Sequence, residues 1–110
     1  MFGTKIYKNG IAVDFDGTLF SDKWPEIGNP RKRLIKRLIK HQKKGSPIIL
    51  WTCRQGRILQ KAINACREHG LIFDAINDNP FSEFASLGAG RKIHADVYID
   101  DKARWFQWVW

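Results

Sequence analysis

Cysteine is scarce in this sequence, and long apolar runs are missing. Cys53 and Cys66 are the only cysteines in 110 residues, and they fit no metal-ligand spacing and are too few for a disulfide framework, which favours reduced thiols. No stretch approaches the roughly 20 apolar residues of a membrane span, and residues 1–10 lack the apolar core of a signal peptide. These absences predict a cytoplasmic protein that does not cross a membrane.

The composition is otherwise ordinary for a folded protein. Apolar residues make up 44% of the chain and charged residues 27%, close to the average for globular proteins, which argues against disorder. A chain of 110 residues is long enough for one hydrophobic core and too short for two. We therefore expect residues 1–110 to form a single domain.

The excess positive charge is concentrated in residues 31–44. The net charge is +8, and this segment holds eight basic residues and no acid, so that the other 11 basic residues balance the 11 acids. The eight are Arg31, Lys32, Arg33, Lys36, Arg37, Lys40, Lys43 and Lys44. Such a segment can be a solvated helix face or a surface that binds a nucleic-acid backbone, although it lacks the interleaved aromatic residues of single-strand binders.

Strand and helix patterns alternate along the chain. Short apolar, β-branched runs predict strands, and apolar residues at helical spacing followed by glycine predict helices. The predicted strands are residues 11–16, 47–52, 71–76 and 95–99, and the predicted helices are residues 31–44 and 55–69. The alternation predicts an α/β fold, a Rossmann-like three-layer sandwich with a mainly parallel sheet and helices on both faces.

The two ends of the chain fit this pattern less simply. Residues 4–8, the pair Asn9-Gly10 and the strand that follows form a hairpin pattern with a type I′ turn signal, yet a strand at the centre of the sheet should have parallel neighbours on both sides. We expect the N-terminal segment to be extended and assign it no partner. Residues 102–110 carry four aromatic side chains. This aromatic tail suits either the edge of the sheet or contact with a second copy of the chain.

Polar residues follow three of the predicted strands. Asp14 and Asp16 close the first, Thr52 the second, and Asp100 and Asp101 the fourth. In a parallel sheet these ends meet at one edge, where ligands bind, and residues i and i+2 of an extended chain point the same way. The alternative for each is structural: a capped turn for Asp14 and Asp16, a helix cap for Thr52, and a cap of the C-terminal segment for Asp100 and Asp101.

The string D-F-D-G-T-L at residues 14–19 resembles the first motif of the haloacid dehalogenase superfamily. The L-W-T-C-R string containing Thr52 looks like its second motif, Lys92 in G-R-K-I-H like its basic third motif, and Y-I-D-D at residues 98–101 like its acidic fourth. The resemblance spans nearly the whole chain. It implies a phosphatase or phosphotransferase of this superfamily.

The resemblance implies a catalytic role for four residues. Asp14 attacks phosphorus and becomes an aspartyl-phosphate, and Asp16 protonates the leaving oxygen and later deprotonates the hydrolytic water. Thr52 hydrogen-bonds the phosphoryl group, and Lys92 neutralises the charge on the nucleophile and the phosphate. Arg91 is a rival for the role of Lys92.

The resemblance also implies a metal site and a substrate pocket. Mg²⁺ would be held by the Asp14 carboxylate, the Asp16 backbone carbonyl, and Asp100 with or without Asp101. Substrate would be bound by Thr52, Lys92, Gly17 and Arg54, with a surface salt bridge as the alternative for Arg54.

Larger relatives in this superfamily insert a cap domain, which this chain has no room for. Residues 19–30 and residues 77–91 are each an ordinary loop of about 10 to 15 residues. We therefore expect a capless, Mg²⁺-dependent phosphomonoesterase acting on a small phosphorylated metabolite such as a nucleotide or a sugar phosphate. The alternatives are a polynucleotide-end phosphatase that uses the basic helix 31–44, and a non-catalytic protein that binds phosphate or nucleic acid.

Overall fold

Four short parallel strands form one sheet in the computed structural model, which describes residues 5–82 and 94–101. The strands are β1 (Ile11–Val13), β2 (Ile48–Leu50), β3 (Ala75–Ile76) and β4 (Val97–Ile99), in the spatial order β3-β2-β1-β4. Two helices, α1 (Lys32–Lys43) and α2 (Gly56–Glu68), connect the first three strands. The predicted α/β class with a parallel sheet is confirmed.

The centre of the sheet is β1, which pairs with β2 on one side and with β4 on the other. All three of its residues are fully buried, as a strand with parallel neighbours on both sides requires. Val13 lies opposite Leu50 on β2 and Ile99 on β4. The chains that leave these three strands therefore start from the same edge of the sheet.

Both helices pack against one face of the sheet. The buried residues of α1 include Leu34, Ile35 and Leu38, and α2 buries Ala62 and Cys66. These side chains join one core cluster with alternate strand residues, Ile11, Val13, Ile48, Leu50, Val97 and Ile99. On the opposite face Ala12 and Ile49 are also fully buried, but neither described helix lies there, so helices on both faces of the sheet stay a prediction.

The N-terminal segment does not pair with β1, although its sequence has a hairpin pattern, and the expected parallel neighbours lie on both sides of this central strand. Both edges of β1 are already occupied by parallel strands, so an antiparallel partner has no place beside it. Instead a turn is closed by the hydrogen bond from Gly10 N to Tyr7 O at 2.9 Å. Tyr7 N in turn donates to Ser46 Oγ at 2.8 Å, which fastens the segment beside the start of β2.

One predicted strand is shorter than expected, and the aromatic tail cannot be compared with its prediction. The predicted strand 71–76 is limited to Ala75–Ile76, because Leu71 N still donates to Cys66 O at the end of α2. The aromatic tail 102–110 lies outside the described residues. Within residues 5–82 and 94–101, neither helix has the length and apolar character that crossing a membrane requires.

The connection between β1 and α1 is a folded loop without an inserted domain. Phe20 pairs with Pro30, and Arg31 N donates to Leu19 O at 2.8 Å. The loop is thus closed at its base, and the side chains of Leu19 and Phe20 are buried in the core. For this loop the expectation of a capless chain is met.

Candidate active site

A pocket of about 260 Å³ opens at the carboxyl edge of the sheet. It is lined by Asp14, Trp51, Thr52, Cys53, Asp100 and Asp101. Three strands that are distant in sequence contribute to it, as a parallel sheet predicts. Four of these lining residues were predicted from their positions after the strands.

Pairing of β1 with β4 brings Asp14 and Asp100 together. Asp14 N donates to Ile99 O at 3.0 Å, which continues the ladder one residue beyond β1 and places Asp14 beside the point where β4 ends. Asp100 is the next residue. The predicted meeting of these two acids, 86 positions apart in the sequence, is therefore present in the structure.

Asp14 lies in an environment that disfavours its charged form. Burial raises the pKa of its carboxyl group to about 6, and the neighbouring charges of Asp101, Asp16 and Asp100 also raise it. A hydrogen bond from the Phe15 backbone acts in the opposite direction. The pocket thus concentrates negative charge that a cation would compensate.

Gly17 brings the backbone of the first loop against Asp101. Its φ is +83°, a left-handed conformation that side chains rarely adopt, and a Cβ there would lie 2.6 Å from Asp101 Oδ2. Only glycine therefore allows the loop to approach Asp101 so closely. The predicted contact of Gly17 with a substrate stays a prediction.

Thr52 is held in place by its backbone and its hydroxyl. Thr52 N donates to Asn77 Oδ1 at 2.8 Å, and Thr52 Oγ1 accepts a hydrogen bond from Arg54 N at 3.1 Å. The residue before α2 is Gln55, so the alternative of Thr52 as a helix cap is wrong. The turn instead places Thr52 in the lining of the pocket.

Arg54 does not line the pocket, which corrects its predicted role in substrate binding. Its side chain is completely buried and forms an ion pair with Asp16. The bonds to the carboxylate run from Nη2 to Oδ1 at 2.7 Å and from Nε to Oδ2 at 2.8 Å. Nη1 donates to the carbonyls of Pro25 and Ile58, and Nη2 to that of Glu26. These bonds use all five N–H donors of a guanidinium, leaving none for a substrate.

Arg54 instead joins three parts of the site. It connects Asp16 after β1, the loop carbonyls at residues 25 and 26, and the first turn of α2 at residue 58. The guanidinium carbon also lies 4.9 Å from the centre of the Phe15 ring. The alternative of a salt bridge is therefore correct in kind, but the pair is not a surface one, because Arg54 is completely buried and the Asp16 side chain is only 20% exposed.

The carboxylates of the pocket do not form a preformed set of three metal ligands. Across the part of the chain that the structure describes, no three His, Cys, Asp or Glu side chains are arranged to hold an ion. Mg²⁺ nevertheless suits this donor set, since it is commonly bound by one or two carboxylates and keeps several waters. Burial is the main cause of the raised pKa of Asp14, and the charges of Asp101, Asp16 and Asp100 add to it, so a cation bound here would favour the charged form of Asp14.

Two residues of the site, Trp51 and Asn77, were not predicted from the sequence, and a third residue, Lys92, cannot be compared with its prediction. Trp51 lines the pocket and packs edge-on against Tyr98, with ring centres 5.7 Å apart. Asn77 positions Thr52 from a left-handed conformation, φ 53°. An asparagine directly after a strand was the available signal, since asparagine tolerates this conformation. Lys92, with its rival at position 91, lies outside the described residues.

The chain is similar to one protein of solved structure, a conserved protein coded by a locus from Bacteroides thetaiotaomicron. The two are 38% identical, with a TM-score of 0.76, and the match covers 91% of this chain and 79% of the other. This chain belongs to that protein's family. No protein-family model and no curated protein matches the sequence. The family relationship supports the α/β fold over most of the chain and leaves the activity to be argued from the site.

Proposed function

We propose that this chain is a magnesium-dependent phosphomonoester hydrolase of the haloacid dehalogenase type. The observation that carries the proposal is the meeting of Asp14, Thr52, Asp100 and Asp101 in one pocket. These residues come from three separate strand ends, and each matches a motif of that superfamily. A structural role for the aspartates as turn residues does not by itself account for their shared pocket.

The first chemical step forms a bond between an Asp14 carboxylate oxygen and phosphorus while the ester oxygen leaves. Asp14 is suited to this role because it lines the pocket and its backbone is fixed between β2 and β4. Thr52 lines the same pocket and has a hydroxyl whose oxygen accepts from Arg54 N, so its hydrogen can point at a phosphoryl oxygen. Preorganised donors of this kind stabilise the charge that develops in the transition state.

The second step cleaves the bond between Asp14 and phosphorus by attack of water. Asp16 is proposed to take the proton from that water and, in the first step, to supply one to the leaving oxygen. Both of its oxygens accept hydrogen bonds from Arg54. Asp16 is not among the residues that line the pocket, so it must give up one of these bonds and turn toward the substrate when it carries the proton.

Mg²⁺ fits the acidic lining as the cofactor of this reaction. Asp14 and Asp100, with or without Asp101, and the Asp16 backbone carbonyl would hold it. When bound, the ion neutralises charge on the nucleophile and the phosphoryl oxygens. A phosphate dianion would otherwise face several carboxylates in a partly buried pocket, which is strongly unfavourable.

The test is hydrolysis of p-nitrophenyl phosphate by the purified full chain. We expect turnover with Mg²⁺, none in EDTA, and none in Asp14→Asn, which keeps the shape of the side chain but removes the nucleophile. Glu68→Gln is the matched control, since it removes one exposed acid at the end of α2 and should retain full activity. Turnover that persists in Asp14→Asn, or its absence across a broad panel of phosphate esters with Mg²⁺, would contradict the proposal.

A further inference from the structure

We infer that the substrate is a polynucleotide strand with a terminal phosphate, held by the basic face of α1 while its end enters the pocket. The inference rests on the proposed function and names the substrate class for the same site. It is carried by the position of the positive charge. The basic face is defined as Lys32, Arg33, Lys36, Arg37, Lys40, Lys43 and Lys44.

The basic face is continuous and contains no acid. At 100° per residue its members span an arc of about 140° on the helix, while Leu34, Ile35, Leu38 and His41 are buried on the other side. Lys32, Arg33, Lys36 and Lys40 are all exposed. The first turn of α1 also lacks an acidic residue, so no acid at the beginning of the helix offsets its positive charge.

The basic face begins beside the pocket. Asp101 lines the pocket and lies against Gly17. Arg31, the residue directly before α1, donates from Nη2 to the Gly17 carbonyl at 3.3 Å. Two contacts thus link the pocket wall to the first turn of α1, and the positive charge extends from there along the helix.

The dimensions of α1 match several nucleotides. Its 12 residues extend for about 18 Å at 1.5 Å per residue, which is long enough to contact several successive phosphates of a strand. A small metabolite whose phosphate is bound in the pocket would be too short to contact most of the basic side chains of α1. A polyanion that continues from the pocket would contact it along its length.

The character of the face favours nucleic acid over a lipid surface. A helix that lies on a membrane buries apolar side chains between its basic ones. On α1 the apolar side chains point into the core instead, and the exposed large apolar residues of the described chain lie on other segments: Ile6, Trp24, Ile72, Ile76 and Phe81. Lysine and arginine alone suit the phosphate backbone, which they bind without sequence preference.

The experiment compares two triple variants of the full chain. Lys36→Gln, Lys40→Gln and Lys43→Gln remove three charges from the basic face. Lys8→Gln, Lys61→Gln and Arg67→Gln remove three exposed charges elsewhere. For each protein, kcat/KM is measured with Mg²⁺ on an oligonucleotide carrying a terminal phosphate and on p-nitrophenyl phosphate, between 50 and 200 mM salt.

We expect the ratio of oligonucleotide to aryl-phosphate kcat/KM to fall about tenfold in the basic-face variant and to stay within about twofold of wild type in the control. The salt dependence of the oligonucleotide reaction should weaken by about 2 in logarithmic slope, since each single-strand phosphate contact contributes about 0.7. Equal ratios in both variants, or binding of phosphatidylserine vesicles but not of oligonucleotide, would overturn the inference.

Failure of the inference and failure of the proposed function give different results. Turnover of p-nitrophenyl phosphate with no turnover of the oligonucleotide overturns the inference and leaves the phosphohydrolase intact. Absence of turnover on every phosphate ester overturns both.

Discussion

Arg54 and Asp16 form a two-point ion pair, with nitrogen to oxygen distances of 2.7 and 2.8 Å. Arginine suits this place because its planar fork matches a carboxylate and still has donors for three backbone carbonyls. The pKa of Arg54 is raised, chiefly by its hydrogen bonds to Asp16. The pair therefore fixes both the loop before α1 and the carboxyl group that the mechanism uses.

Replacing Arg54 should weaken both the fold and the reaction. Arg54→Met leaves Asp16 and three carbonyls without their donor, and we expect the free energy of unfolding in urea to fall by about 3 kcal/mol. Arg54→Lys keeps the charge but lacks the fork, so it should be intermediate. Arg57→Lys, on an exposed side chain of α2, is the control. An Arg54→Met protein as stable as wild type would show that the ion pair does not contribute to the stability of the fold.

The effect of replacing Asp16 on the rate of hydrolysis should depend on the leaving group of the ester. General acid catalysis matters most when a poor leaving group must be protonated, and its loss costs about 10²- to 10⁴-fold. We expect Asp16→Asn to slow hydrolysis of alkyl phosphates at least tenfold more than that of p-nitrophenyl phosphate. The measurement is single-turnover release of the two alcohols. Equal slowing of both would assign Asp16 a positioning role.

The two cysteines should differ sharply in reactivity. Cys53 is exposed and lines the pocket, whereas burial raises the pKa of Cys66 to about 12, and the thiolate is the reactive form. We expect iodoacetamide to modify Cys53 in the folded protein and Cys66 only after unfolding, as read by peptide mass spectrometry. Inorganic phosphate with Mg²⁺ should slow the reaction of Cys53. Equal rates at both sites would contradict the described burial.

His41 should make the protein less stable in mild acid. Burial lowers its pKa, and the nearby charges of Lys44, Arg37 and Lys40 lower it further, against a backbone hydrogen bond to Lys5. The unfolded chain therefore binds a proton first as the pH falls below about 6.5, and the free energy of unfolding falls with pH by at most about 1.4 kcal/mol per unit.

The measurement for His41 is urea unfolding between pH 8 and pH 5.5. His41→Gln should lose part of the slope, while His69→Gln, at an exposed position, should keep it. Identical slopes for wild type and His41→Gln would mean that His41 titrates normally in the folded protein.

The sequence predicts the sheet and the meeting of the acids because both depend on patterns that are local. Ile11 to Val13 is a continuous apolar run, which suits a central parallel strand. The acids directly after such runs must meet once the strands are parallel. Asp14 and Asp100 could therefore be brought together without knowledge of any side-chain contact.

The role of Arg54 could not be predicted in this way. Its partners include the carbonyls of Pro25 and Glu26, which reach it only because the loop between β1 and α1 folds back over the start of α2. The partners of the N-terminal segment could not be predicted for a related reason, since Asn9 is bound to Asp96, 87 positions away, through two hydrogen bonds. Contacts between distant parts of the chain override the local turn signal.

In the proposed reaction Asp14 forms a covalent bond to phosphorus. The most direct test of this bond is to mix the protein with Mg²⁺ and substrate, quench during turnover with borohydride, and analyse the peptide that contains Asp14 by mass spectrometry. An aspartyl-phosphate is reduced to homoserine, so the account predicts homoserine at position 14, only with substrate and Mg²⁺. Continued turnover with an unchanged aspartate at position 14 would contradict it.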